Sequence, residues 1–409
     1  MDWGSKNVLI TGVSGFVGSY LSSVLIEKGA SVYGLIRKKA DGSSYKNLTD
    51  RGVEKNITLI EGDLSEMTSL ANALDISQPD YIFHLGAQSF VQRSFENSME
   101  TQQINTMGTA NLLDIIRIKD YDSKIIFAGS SEEYGLVFSS KEQFENAKKE
   151  HGSIFPDPFE LPEVPIKETN PLRPMSPYAV SKVYGDFLMR NYYHSYGLDT
   201  VVSRAFNHEG AGRGIMFVTS VITNQIMKYK FKEIDKIIIG NINAFRDWSH
   251  VKDIVNGYLL LADKGKSGEV YNQSSMRTNS ILSYILLGLE AAGWKIEDIE
   301  TFNGEKKINE PTNFDDSKIF GISFPKTKVD KLALEEDLEF SIKDKGINIT
   351  TNDKKIPIEF DESRFRPAEV PILLGDCKKI EKLGFKTEYS LMDIINDQLN
   401  YYIDPANRI

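Results

Sequence analysis

Val8-Leu9-Ile10-Thr11-Gly12-Val13-Ser14-Gly15-Phe16-Val17-Gly18 is the stretch that decides the fold. A short apolar run suits a buried strand. The glycines behind it, spaced Gly-x-x-Gly-x-x-Gly, suit a tight turn, and residues 16–28 suit a helix. In that setting glycine lets the backbone approach a pyrophosphate closely. The helix N-terminus adds free N–H groups and the positive end of its dipole. Gly12, Ser14, Gly15, Phe16, Val17 and Gly18 are therefore candidate dinucleotide contacts. A glycine triplet alone is usually only a turn; the strand before it and the helix after it give this one its meaning.

The same rhythm continues outward. Residues 32–36, 58–60, 81–83 and 125–127 read as further buried strands, and 66–74 and 98–117 as helices between them. Strands apolar on both faces, alternating with helices, predict a parallel sheet covered on both sides. The expected fold is α/β: a Rossmann-like doubly wound sheet with a smaller, mixed α/β C-terminal lobe. The second strand ends in Arg37-Lys38, and no acid follows until Asp41. Two cations there suit a ribose 2′-phosphate better than a free hydroxyl, so NADP is expected, with NAD as the alternative. Asp63 and Leu64 after the third strand are candidates to bracket the adenine. Leu85 and Ala87 after the fourth flank a glycine small enough for a cofactor to lie flat.

Seven of the 14 prolines fall between Pro156 and Pro177, which breaks the rhythm. Such a stretch cannot hold a long helix or a central strand, and 136–176 reads as a surface excursion. Ser176-Pro177 then suits an N-cap followed by Pro at the first helical position. The helix runs to about Gly197, with Val180, Val183, Tyr184, Phe187 and Leu188 expected as its apolar face. Strands at 200–206, 236–240 and 269–272 alternate with helices at 217–230, 251–263 and 280–293. A charged segment over 298–362 reads as a small meander of strands at 339–342, 347–350 and 356–360, turning at Asn352-Asp353. Residues 391–402 close the chain as a helix. The expected cofactor domain is 1–206 plus about 240–264, with the excursion at 136–170. The expected substrate lobe is 207–239 plus 265–409, carrying the β-rich insert at about 298–362.

Composition excludes several classes. The chain has 409 residues, 48 Lys+Arg against 58 Asp+Glu, and a net charge of −10, which argues against nucleic-acid binding. No apolar run approaches a membrane span, and the N-terminus is unlike a secretory signal. The one cysteine, Cys377, has no partner for a disulfide or a zinc site. A reducing cytoplasm is the simplest expectation, with no metal.

Tyr178 and Lys182, four apart on one helix face, carry the chemistry. A free tyrosine titrates near pKa ~10, too high for a base at neutral pH. A nearby ammonium stabilises the phenolate. The phenolate can then take a hydroxyl proton while the carbon beneath gives up hydride. At the end of the fifth strand stands Gly129-Ser130-Ser131-Glu132-Glu133-Tyr134-Gly135, where open sheets place ligands. Ser130 can hold the same hydroxyl. Glu132 supplies a carboxylate that simple alcohol oxidation does not need, but that elimination of water beside a ketone does. Glu133 reads more simply as a loop cap.

Together these residues resemble the extended short-chain dehydrogenases/reductases, over about 6–295 and again over 364–402. More narrowly, the chain resembles the GDP-mannose 4,6-dehydratases and their relatives the GDP-4-keto-6-deoxymannose reductases. The narrowing motifs are Ala87-Gln88-Ser89-Phe90-Val91, Phe206-Asn207-His208-Glu209, Arg213-Gly214, Phe217-Val218-Thr219, Arg246-Asp247-Trp248 and Arg366-Pro367-Ala368-Glu369-Val370. The resemblance implies that Ser130-Ser131-Glu132 stands for a Thr-Ser-Glu triplet, with the first hydroxyl kept. It implies sugar-nucleotide contacts at Ser89, Ser130, Asn207, Arg213, Val218, Arg246, Arg366 and Glu369, and a cofactor contact at Ser89. It further implies GDP-mannose as substrate, internal hydride transfer from C4 to C6 through NADP, and a homodimer or homotetramer. Gly129 to Gly135 and Gly268-Glu269-Val270-Tyr271-Asn272 are closer to the reductase wording. Reductase, nucleotide-sugar 4-epimerase and non-catalytic NADP-binding protein therefore remain as alternatives.

Overall fold

β1 (Asn7–Thr11) is apolar at its centre, Val8, Leu9 and Ile10, which lies inside a covered sheet. Its side chains alternate between faces. Val8 and Ile10 join one core with Tyr20, Leu21 and Leu25 of α1 (Phe16–Glu27) and with Val251, Ile254 and Val255. Leu9 joins another with Leu70, Leu74, Leu112 and Met189. Each such fully buried side chain contributes about 1.5–3 kcal/mol from its removal from water. The computed structural model describes residues 1–37, 43–365 and 370–408.

The remaining strands of this sheet are β2 (Ser31–Ile36), β3 (Thr58–Glu61), β4 (Tyr81–His84), β5 (Lys124–Ala128), β6 (Thr200–Ala205) and the strand Val270–Gln273. In space they run Val270–Gln273, β6, β5, β4, β1, β2, β3, every pair parallel. The chain crosses from β3 back to β4 on the other side of β1. That reversal opens a crevice at the C-terminal ends of β1 and β4, the place where such sheets hold ligands.

A second core lies in the C-terminal half. Helices Val218–Lys230, Ile281–Ala291 and Leu391–Tyr401 pack on a five-stranded sheet. Its order is Lys307–Asn309, Ile296–Thr301, Gly346–Thr351, Lys355–Phe360, Ile237–Ile239; the last pair is parallel and the others antiparallel. This is the mixed lobe expected from the sequence, but one strand differs. Residues 339–342 are not a strand. The Phe340 N–H and carbonyl are both taken by the Asn243 side chain, and Ile342–Asp344 is a 3-10 turn. The missing place is filled by Ile296–Thr301, where a register shift between Ile296 and Asp298 hides the alternation.

Two other expectations are corrected. The 136–176 excursion is only partly surface. It contains the helix Lys141–His151, and Val137, Val164 and Ile166 are buried with Tyr134, Phe206 and Leu374. Arg173 and Glu163 form a buried ion pair at 2.7 Å inside it. The apolar face expected on the helix Pro177–Tyr196 is split: Val183 and Leu188 are half-buried, Leu188 against the core that holds Leu9. Val180, Tyr184 and Phe187 are exposed, whereas Ala179, Ser181, Lys182, Gly185 and Asp186 face inward. Small residues win because the helix lies against β5: a Cβ on Gly185 would stand 2.4 Å from the Phe127 ring. Among the described residues, no helix is long and apolar enough to cross a membrane.

Candidate active site

The turn after β1 is built for close approach. Gly12 has φ +74°, and a Cβ there would meet the Gly86 backbone at 2.9 Å. A Cβ on Gly18 would lie 2.3 Å from the Gly12 carbonyl oxygen. The two strand ends are tied directly, since the Gly86 N–H donates to Thr11 Oγ1 at 2.9 Å. Thr11 Oγ1 is also 2.8 Å from His84 Nδ1, and His84 Nε2 is 3.0 Å from Thr109 Oγ1. Thr109 donates its hydrogen to the Asn105 carbonyl, so we assign the His84 proton to Nε2. Burial, with the Lys182 charge behind it, lowers the His84 pKa to about 3 and keeps the ring neutral.

A π turn at Gln103–Met107 interrupts the helical stretch 98–119 and serves the site. From it, Asn105 Oδ1 accepts the Gln88 N–H at 2.8 Å. Its Nδ2 donates to the Gln88 carbonyl at 3.0 Å and to Ser181 Oγ at 2.9 Å. The loop after β4 is thereby pinned to the helix that carries Tyr178 and Lys182.

These elements enclose a cleft of about 550 Å³. Every residue expected to touch the cofactor lines it: Gly12, Ser14, Gly15, Phe16, Val17 and Gly18 at the turn, Arg37, Asp63 and Leu64 beyond β2 and β3, Leu85, Ala87 and Ser89 after β4, and Tyr178 and Lys182. Lys38 lies outside the described residues. Asp63 Oδ1 accepts from the Ser65 N–H and hydroxyl; burial alone would raise this carboxyl, but these bonds and Arg37 lower it. Gln88 Oε1 and Asn207 Oδ1 are buried acceptors on the cleft wall with no hydrogen-bond partner among the described residues. A glycine cradle at a helix N-terminus, small residues opposite and waiting acceptors fit a dinucleotide.

Ser130, Glu132, Tyr178 and Lys182 meet in the same cleft. Ser130 caps a 3-10 turn, Ser131–Glu133, by accepting the Glu132 N–H at 3.2 Å. Lys182 Nζ donates to the Ala128 carbonyl at 2.7 Å and lies 5.9 Å from the centre of the Tyr178 ring. Burial lowers the Lys182 pKa to about 8, against the pull of Glu133. Burial raises the Tyr178 phenol well above its ordinary value. The Ser130 hydroxyl opposes this, Glu132 and Glu133 add to it, and Arg213 opposes it. The phenol is therefore an acid at rest, and its use as a base depends on positive charge brought near it.

A second cleft of about 830 Å³ adjoins the first at Val91, Asn207 and Phe217. Asn207 is fixed by parallel pairing of Asn207–Glu209 with Trp248–His250. Of the residues expected to bind substrate, Val218 and Arg246 line this second cleft, Asn207 lines both, and Ser89, Ser130 and Arg213 line the first. Arg246 is buried, donating to the carbonyls of Phe245 and Val370 at 2.9 and 2.7 Å. Arg366 and Glu369 lie outside the described residues. The Arg213 guanidinium stacks 3.5 Å from the Phe217 ring centre and pairs with Glu209 at 3.4 Å.

Sequence reasoning passed over His208, Glu209 and Asn105. The first two stand in a quoted motif beside Asn207. His208 Nδ1 donates to the Phe206 carbonyl at 2.9 Å, leaving Nε2 as an acceptor; burial and then Arg213 lower its pKa to about 4. Glu209 accepts from Thr219 and holds Arg213. Asn105 gave no sequence signal, because its partners at Gln88 and Ser181 come together only in the fold.

The family described as the NAD dependent epimerase/dehydratase family matches residues 8–273. A GDP-mannose 4,6-dehydratase from Yersinia enterocolitica is 32% identical over 396 residues, covering 95% of this chain and 91% of its own. Two solved structures share the fold. One is the RMD of Pseudomonas aeruginosa complexed with NADPH, with a TM-score of 0.65, 22% identity, and 97% of this chain and 99% of that chain covered. The other is the dTDP-glucose 4,6-dehydratase DesIV of Streptomyces venezuelae with NAD and TYD bound, with a TM-score of 0.68, 20% identity, and 97% of each chain covered.

Proposed function

The chain belongs to the NAD dependent epimerase/dehydratase family, among the extended short-chain dehydrogenases/reductases, and from that premise we propose a nucleotide-sugar 4,6-dehydratase acting on GDP-mannose. The observation that carries the reading is the meeting of Glu132 with Ser130, Tyr178 and Lys182 in the first cleft. Alcohol–ketone chemistry uses the last three. A carboxylate beside them gives the site a second base.

Ser130 Oγ and Tyr178 Oη hold the C4 hydroxyl of the hexose, and Tyr178 Oη takes its proton. Lys182, still protonated below about pH 8, stabilises the phenolate. The Glu132 carboxylate removes the proton from C5, acidified by the new C4 ketone, and passes it to the C6 hydroxyl, which leaves as water; the hydride taken from C4 would then be returned to C6 while C5 takes back a proton. When bound, the nicotinamide supplies a reversible hydride acceptor for this sequence. The turn at 12–18, Asp63, Leu64, Leu85, Ala87 and Ser89 would hold it. NADP is the preferred form because Arg37 offers a guanidinium at the adenosine end. Asn207, Arg246 and Arg366 would hold the nucleotide diphosphate, and Glu369 would accept from the ribose hydroxyls. Arg213 serves at the boundary, facing the cofactor side. Val180, Tyr184 and Phe187, exposed on one helix face, support a homodimer or homotetramer.

The test is mass spectrometry of products from a panel of nucleotide sugars, without added reductant. The proposal expects a product lighter by one water from GDP-mannose. Reduction of a 4-keto sugar by added NADPH, with no dehydration, would favour the reductase that the Gly129 to Gly135 wording resembles.

A further inference from the structure

Arg204 lies near the end of β6, three residues before Asn207, and is almost wholly buried. A buried guanidinium is costly unless its charge and its donors are matched. Here the partners come from different elements. Nε donates to Asp186 Oδ2 at 2.8 Å and stands 3.2 Å from Glu133 Oε2. Nη1 donates to the Tyr134 hydroxyl and to the Glu168 carbonyl, each at 3.1 Å.

Both carboxyl groups belong to catalytic segments; burial and then Asp186 raise that of Glu133 to about 8 against the pull of Arg204. Glu133 ends the turn that carries Ser130 and Glu132, and its Oε1 accepts the Ser130 N–H at 2.7 Å. It occupies the space a side chain at 129 would need: a Cβ on Gly129 would stand 2.6 Å from Oε1. Asp186 sits one helical turn beyond Lys182, is fully buried, and takes a second bond from Arg190 Nε at 2.7 Å.

We infer that Arg204 is a positioning residue, which by gripping Glu133 and Asp186 with one guanidinium holds the Ser130 turn, the Tyr178 helix and the strand leading to Asn207 in one register. None of the three touches the reacting atoms. Each sets where a group that does so will stand, and the expected kinetic consequence rests on the dehydratase reading. The geometric claim does not.

The test compares Arg204→Met, Glu133→Ala and Glu133→Gln in the full chain with its cofactor. Glu133→Gln keeps an acceptor for the Ser130 N–H but turns an N–H donor toward Arg204 Nε, and lowers kcat about tenfold, between wild type and Glu133→Ala. Arg204→Met and Glu133→Ala free the turn and lower kcat about 100-fold, with KM little changed. Hydrogen–deuterium exchange gives a readout independent of turnover. Amides at 128–136 exchange at least about tenfold faster in both disruptive variants, while those of β1 do not. Unchanged local exchange would overturn the inference. So would exchange that rises equally across the sheet, or a Gln variant indistinguishable from wild type. If wild type dehydrates no nucleotide sugar, the functional reading fails and the exchange comparison still decides the role of Arg204.

Discussion

Replacing Lys182 by Met removes one buried ammonium from beside Tyr178. With 5.9 Å from Nζ to the ring centre taken as the separation and an effective dielectric of ~20, the lost attraction is about 2.8 kcal/mol, or about two pKa units on the phenol. The phenol already lies high because it is buried, and Ser130 and Arg213 offset that only in part. At pH 7 the variant should lose about 100-fold in kcat/KM. The pH profile carries the sign. In the free enzyme Lys182 is protonated below about 8 and loses its proton above it. The phenolate is therefore stabilised on the acid side, and kcat/KM should fall as pH rises through about 8. Lys182→Met should lack that limb. The assay is initial rate against pH at subsaturating nucleotide sugar, with folding checked by circular dichroism. A drop smaller than about threefold, or a limb near pH 8 that survives the substitution, would refute the reasoning.

Other substitutions test other parts of the site. Glu132→Gln removes the base for C5 and should slow dehydration by about 10²–10⁴-fold while leaving nucleotide-sugar affinity intact, measured by calorimetry beside turnover. Gly12→Ala places a methyl against the Gly86 backbone at positive φ, and should cost at least about 1–2 kcal/mol of stability and the retained cofactor, seen in Tm and in the absorbance of the purified protein. His84 has a folded pKa of about 3, below its ordinary value, so its contribution is complete above about pH 6.5 and is lost on acidification. From pH 7 to 5 it should cost about 2 kcal/mol, and His84→Asn should flatten urea midpoints by that amount.

What the chain discloses depends on how local each determinant is. The glycine turn was legible because strand, turn and helix N-terminus lie within consecutive residues, and Tyr178 and Lys182 because four residues separate neighbours on a helix. Helical periodicity correctly grouped Val180, Tyr184 and Phe187 on one face but not its direction, which depends on how closely Gly185 meets Phe127. The bulge in Ile296–Thr301 concealed a strand, and the Asn243 side chain unmade the one expected at 339–342. Arg204 gave no signal, since its partners at Glu133 and Asp186 are 71 and 18 residues away and meet it only in the folded sheet. Glu133 is the cap its place in the loop suggests, although its second oxygen faces that arginine.

The central claim is that one sugar passes through oxidation, elimination and reduction without leaving this site. GDP-mannose deuterated at C4, given to the purified protein with no added reductant, tests it most directly. The expected product is a 4-keto-6-deoxy sugar nucleotide one water lighter, with the deuterium recovered at C6 of the same molecule. A product that keeps its water, or deuterium lost to solvent or absent from C6, would contradict it.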